Sequence, residues 1–208
     1  ASVRSNSEYL RIINMNQELR AAMNFVAREL KNSGGWVRSN DDITITNPYT
    51  ANIAVNGVTP VPFNNTTGTC ITYIYDDDAS FTDADADGIT DVENKDRAGF
   101  NFDTNARTLK YRSQGNASAT MCTDSYHAST NRWESITDTD NVIITAVDFD
   151  LRANIAQDGA PTFYDVIVTL SGATKLRGSN DDYVAADLND NLNTYQKTIT
   201  RAIRIRNY

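Results

Sequence analysis

The hydrophobic residues of this chain change their spacing once, at Gly34–Gly35, and that change constrains the fold more than any other feature. Upstream, in "SEYLRIINMNQELRAAMNFVARELKN", Ile12, Met15, Leu19, Met23, Val26 and Leu30 recur at steps of three and four. Such steps fall on one side of a 3.6-residue helix, so the spacing predicts an amphipathic helix over about residues 7–32 with one face to bury. Ser7 serves as its N-cap, and the two glycines supply a left-handed stop. Glu18, Arg20, Arg28 and Lys31 occupy the opposite face.

Downstream the period is two. "DITITN", "ANIAVNG" and "CITYIYD" alternate apolar and polar residues as strands do. "AGFNFDTNARTLKYRSQ" reads as a hairpin turning near Thr104-Asn105-Ala106. "RWESITDTDNVIITAVDFDL" gives an aromatic anchor and a long strand, and "TFYDVIVTLSG" and "KTITRAIRIRNY" give two more. Residues 177–194 are polar and read as a loop. A long helix followed only by antiparallel strands predicts an α+β fold, with the N-terminal amphipathic helix packed on one face of an antiparallel β-sheet. A chain of 208 residues is expected to form a single domain over 1–208, strand-rich across 42–208.

Composition removes several function classes. The net charge is −8 and no Lys/Arg-rich run occurs, which argues against nucleic acid and against charge-driven binding to an anionic membrane. No apolar run approaches the ~18 residues that a membrane span requires. His127 is the single histidine, and no nucleophile elbow, P-loop or dinucleotide fingerprint accompanies it. The chain is therefore expected not to be an enzyme. Cys70 and Cys122 are the two cysteines, without metal-knuckle spacing. They are either two buried thiols or one disulfide formed in an oxidising compartment. The acidic, Asn/Thr-rich composition looks exported, so a disulfide is the expectation.

One stretch resembles a chemical device. In "TDADADGITDVEN", residues 82–94, Asp83, Asp85 and Asp87 precede Gly88 in the D-x-D-x-D-G pattern of an EF-hand-type calcium loop. Calcium takes six to eight oxygen ligands, so it rewards short carboxylate side chains that converge on one point. Counting from Asp83, Ile89 falls where a backbone carbonyl is wanted and Asp91 where a side chain or water is. The closing position holds Asn94, with Glu93 one step early, and neither flank reads as a helix. A solvated acidic loop is the simpler alternative. The register of Gly88 favours Ca2+, held by Asp83, Asp85, Asp87, Ile89, Asp91 and Glu93 within an acidic loop at 76–94.

The order of these pieces resembles the PilW/GspJ-like minor pilins, subunits of type IV pili and pseudopilins of type II secretion. The resemblance rests on "AAMNFVARELKNSGGW", "CITYIYDDD", "GFNFDTNARTLKYRS", "RWESITDTDNVIITAVDFDL" and "ITRAIRIRNY", in that order. Its more specific parts are Arg28–Trp36, the segment from Trp133 to Leu151 and the closing Arg206-Asn207. It implies a pilin-like fold and a structural subunit that primes or caps a pilus or pseudopilus. It also implies partners among the other minor pilins or pseudopilins and the major pilin. The setting would be a Gram-negative envelope: inner membrane and periplasm before assembly, filament tip afterwards. In that family a peptidase-processed apolar half-helix precedes the part seen here, so the intact protein is expected to carry a membrane anchor ahead of Ser2. The alternative function is a calcium-dependent adhesin or ligand-binding module of the envelope.

Overall fold

A computed structural model describes residues 2–33, 54–55, 66–74, 97–113, 122, 133–155, 161–176 and 194–206. Helix α1 spans Ser2–Asn32, starting ahead of the expected Ser7 cap. Among the described residues the strands are β1 (Ala54–Val55), β2 (Thr66–Gly68), β3 (Cys70–Ile74), β4 (Arg97–Asp103), β5 (Thr108–Arg112), β6 (Glu134–Ser135), β7 (Ile143–Ile155), β8 (Pro161–Lys175) and β9 (Thr194–Arg206). The fold is α+β, with strands dominant. The predicted strand at 42–47 and the loop at 177–193 lie outside the described residues.

The helical stripe does what its spacing requires. Met15, Leu19, Met23, Val26 and Leu30 are buried, joined by Ala22 and Ala27, while Ile12 is half-buried. The helix lies against β8 and β9.

The strands form two antiparallel sheets where the sequence suggested one. The first has the order β1-β3-β4-β5-β6, and the second β2-β7-β8-β9. Alternation along a strand reports which residues face inward, but not which strand becomes its neighbour. Here the chain changes sheet across one residue. β2 ends at Gly68 opposite Phe149, β3 starts at Cys70 opposite Asn101, and Thr69 between them accepts the Phe102 N–H at 3.1 Å.

The segment from Trp133 to Leu151 differs too, being two strands and a turn. The Asp138 carbonyl accepts the N–H groups of Asn141 (3.1 Å) and Val142 (2.9 Å), and its side chain accepts that of Asp140 at 2.9 Å. An aspartate that bonds its own downstream backbone competes with a sheet ladder, so the strand breaks there. The β4–β5 hairpin turns at Thr104-Asn105-Ala106 as expected. Asp103 accepts the N–H groups of Asn105 and Ala106 at 2.9 and 2.8 Å and pairs with Lys110 at 2.6 Å. Those contacts hold its carboxyl below the usual range, the Lys110 hydrogen bond most of all. Arg107 closes the turn at φ 57°, a left-handed conformation, and its carbonyl accepts the Ile144 N–H at 3.0 Å. That bond ties the first sheet's hairpin to the second sheet.

Helix and sheets share one core. Leu19, Val26 and Leu30 join Ile71, Phe100 and Leu109 of the first sheet and Ile144, Phe149, Val168 and Leu170 of the second. Each such side chain contributes about 1.5–3 kcal/mol on burial. The closest approach is at Gly172, where a Cβ would stand 2.6 Å from Val142 Cγ2 and 3.0 Å from Leu19 Cδ2. Val142 and Leu19 are themselves fully buried, so neither can withdraw. Gly172→Ala should therefore destabilise the protein by about 1–3 kcal/mol, the usual cost of overpacking. In urea the unfolding midpoint should fall while the slope stays unchanged.

Candidate functional site

The residues predicted to ligate calcium, Asp83, Asp85, Asp87, Ile89, Asp91 and Glu93, lie outside the described residues, as does His127. Among the described residues, no group of three or more His, Cys, Asp or Glu side chains is placed to hold a metal ion. Cys70 and Cys122 form a disulfide, with S–S 2.04 Å and Cα–Cα 6.0 Å. The Asn101 side chain donates to the Cys122 carbonyl at 3.0 Å, which fixes the bridge against β4. In the chain-entropy account, closing a loop of roughly 50 residues stabilises by about 4 kcal/mol.

The helix offers the clearest surface for a partner, because its two ends are treated differently. Toward its C-terminus, Phe25 stands edge-on to Phe100 and Tyr111, with centroids 5.8 and 4.9 Å apart. The Tyr111 hydroxyl donates to Glu29 at 3.2 Å, and Arg28 pairs with Glu29 at 3.1 Å. Farther back, the Glu18 carboxylate accepts the Asp138 N–H at 3.0 Å, and Arg11 donates to the Lys175 carbonyl at 3.2 Å. Ahead of these ties Tyr9 and Leu10 remain 65% and 58% exposed, the large hydrophobic residues left in solvent among those described. The helix thus buries its stripe from Met15 onward and exposes the adjacent apolar pair Tyr9 and Leu10 ahead of it.

The outer face of the second sheet is closed on itself by polar pairs. Asp150 binds Arg152 at 2.5 Å, and Asp165 binds Arg204 at 2.9 Å. The hydroxyls of Ser171 and Thr198 meet at 2.7 Å, and those of Thr169 and Thr200 at 3.2 Å. Asp148 lies beside Asp150 on this face, two residues before it. Partial burial, reinforced by the Asp150 charge, raises the Asp148 carboxyl above its ordinary value of 3.8.

A strand-rich α+β protein with an N-terminal helix that exposes Tyr9 and Leu10, and a disulfide-fastened sheet, is the class these described features define. The chain belongs to the family described as PpdB, prepilin peptidase-dependent protein B, whose model matches residues 8–205. That family ties it to the pilus or secretion systems that depend on prepilin peptidase, and so to the bacterial envelope. Neither the curated proteins nor the solved structures compared with the chain gave a match. No helix among the described residues is long and apolar enough to cross a membrane.

Sequence reasoning found the helix and both cysteines, but not the inter-sheet tie at Arg107 or the charged outer face. A carboxyl whose pKa is raised by folding costs stability when ionised. That cost is full above the folded pKa and vanishes below the unfolded value near 3.8. Asp148→Asn should therefore raise the melting temperature at neutral pH, and the gain should shrink to nothing as the pH falls toward 3. Melting curves of both proteins across that range check the sign.

Proposed function

We propose that this chain is the exported domain of a PilW/GspJ-like minor pilin or pseudopilin, a structural subunit that primes or caps a type IV pilus or a type II secretion pseudopilus. The observation that carries the reading is the exposed pair Tyr9 and Leu10 on α1. In a member of a prepilin peptidase-dependent family, the helix keeps Tyr9 and Leu10 in solvent while the stripe from Met15 to Leu30 is buried. Adjacent exposed apolar side chains on a helix are a contact surface for a partner. Its partners in this reading are the other minor pilins or pseudopilins and the major pilin. Its location is the Gram-negative inner membrane and periplasm before assembly, and the filament tip afterwards. No catalytic role is assigned to it.

The test is Tyr9→Ser with Leu10→Ser in the full-length protein expressed in its own cells. Both side chains already face water, so the melting temperature of the domain should hold, surface changes of this kind costing within about 0.5 kcal/mol. Crosslinking to the other pilin-like subunits, and filament assembly or secretion, should fall. Normal crosslinking and assembly by the double variant would remove the helix end from the contact.

Within this reading the acidic loop at 76–94 holds Ca2+. Its support is the D-x-D-x-D-G register of Asp83, Asp85, Asp87 and Gly88, with Ile89, Asp91 and Glu93 downstream. Calorimetric titration of chelator-stripped protein should give saturable heat. At a hundredfold excess over the dissociation constant, the native state should gain about 2.7 kcal/mol. Asp85→Ala should abolish that gain and Asp148→Asn should leave it intact. An absence of heat and of any melting shift at millimolar calcium returns the stretch to an acidic loop. A calcium-dependent adhesin is the second reading, favoured by the same register, and loss of ligand binding with normal assembly on chelation would distinguish it.

A further inference from the structure

One stripe of α1 runs from Tyr9 to Lys31 without a carboxylate. Tyr9, Ile13, Arg20, Asn24 and Lys31 recur at steps of four and seven, which keeps them on one side of the helix. Tyr9, Arg20, Asn24 and Lys31 are exposed, and Ile13 is half-buried. The stripe is therefore apolar at its first turns and cationic farther on. Glu8, Glu18 and Glu29 fall outside it, the last two turned toward Asp138 and Tyr111.

The sheet adds cations of its own beside this stripe. The Arg201 guanidinium, itself exposed, donates to Asn24 at 2.8 Å. Lys197 stands opposite Gly172, and a Cβ on Gly172 would meet Leu19, so Lys197 shares the helix side of β9. Arg20, Lys31, Lys197 and Arg201 thus border one seam between α1 and β9. The ion pairs among the described residues engage Arg28, Lys110, Arg152 and Arg204, and none engages these four. The chain as a whole has the opposite sign, with 27 Asp and Glu against 19 Lys and Arg. A solvated face of such a chain would mix both signs. Four cations gathered without an acid repel one another, and an anionic surface brought against them relieves that repulsion.

We propose that this seam receives an acidic surface of a neighbouring protein subunit, in one contact that begins at Tyr9 and Leu10. The apolar end supplies burial, and the cations beyond it select a partner with carboxylates in the matching positions and reject one with amines there. That the occupant is a neighbouring subunit rests on the structural role proposed above. The charge it must carry rests on Arg20, Lys31, Lys197 and Arg201.

The test treats envelopes of cells that express the full-length protein with a water-soluble carbodiimide. This reagent joins a lysine amine to a carboxylate in contact with it and takes up the water released. Lys110 and Asp103, 2.6 Å apart, should be joined in every sample and show that the reagent has acted. Mass spectrometry should also find Lys31 or Lys197 joined to an Asp or Glu of another pilin-like subunit, in a yield that falls as salt is added. Arg20→Glu with Arg201→Glu leaves both lysines in place and should cut that yield at least about tenfold. If the double variant melts lower because Arg201 no longer reaches Asn24, Arg20→Glu alone carries the test, with a smaller fall. Absent intersubunit links beside a formed Lys110–Asp103 link, or links that survive the charge reversal, overturn the proposal. Links to a second copy of this chain, or reversal-sensitive binding to phosphatidylglycerol vesicles without intersubunit links, overturn the assignment to a different subunit. The two contacts fail separately. Lost assembly in the Tyr9/Leu10 variant with no carboxylate links in the parent keeps the helix contact and ends this one, and persistent links with normal assembly in that variant do the reverse.

Discussion

Leu19 reaches the floor of the second sheet because Gly172 has no side chain to stop it, and the position of α1 follows from that contact. A helix set down there brings Phe25 against the aromatic pair Phe100 and Tyr111 on one flank, and Asn24 within reach of Arg201 on the other. Neither sheet can bury its inner face alone: Phe100 and Leu109 of one, and Phe149 and Val168 of the other, become solvent-free in a single cluster that includes the helix. A small shift of the helix would open both sheets at once. Packing at native density makes such a shift costly, and the helix therefore acts as a fixed strut rather than a sliding cover.

The two sheets are held in register by few but well-placed bonds. Thr69 carries the chain from one to the other, and the Arg107 carbonyl receives the Ile144 N–H. The left-handed backbone of Arg107 is what turns that carbonyl toward β7, so a local conformational cost serves a long-range link. Glu18, by capping the Asp138 N–H, adds the helix to the same junction. Sequence-distant parts of the chain thus meet around a turn whose own residues are mostly exposed.

What the sequence disclosed, and what it withheld, follows from the range of the interactions concerned. The stripe from Met15 to Leu30 was readable because helical spacing reports burial directly. The β4–β5 hairpin was readable because Asp103 and Asn105 carry local turn chemistry. The division into two sheets was not, since Thr66–Gly68 is too short to show a period and neighbour choice is decided by distant residues. The break between β6 and β7 lay in Asp138, whose side chain looks like any other polar residue in an alternating run. As to the surface, the exposure of Tyr9 and Leu10 was not read from the helix pattern, and neither was the pair formed by Arg201 and Asn24. Its members lie on α1 and on β9, and only the packing of one on the other brings them together.

The disulfide makes a covalent ring of residues 70–122, and β3, β4 and β5 all lie within it. So does the acidic run at 76–94, which joins β3 to β4 in sequence. A protease that severs one peptide bond in that run opens the ring without freeing either piece, for Cys70 and Cys122 still join them. The nicked protein keeps every strand attached to the sheet it belongs to, and its mass rises only by the water of hydrolysis. It can separate into fragments only once the Cys70–Cys122 bridge is reduced.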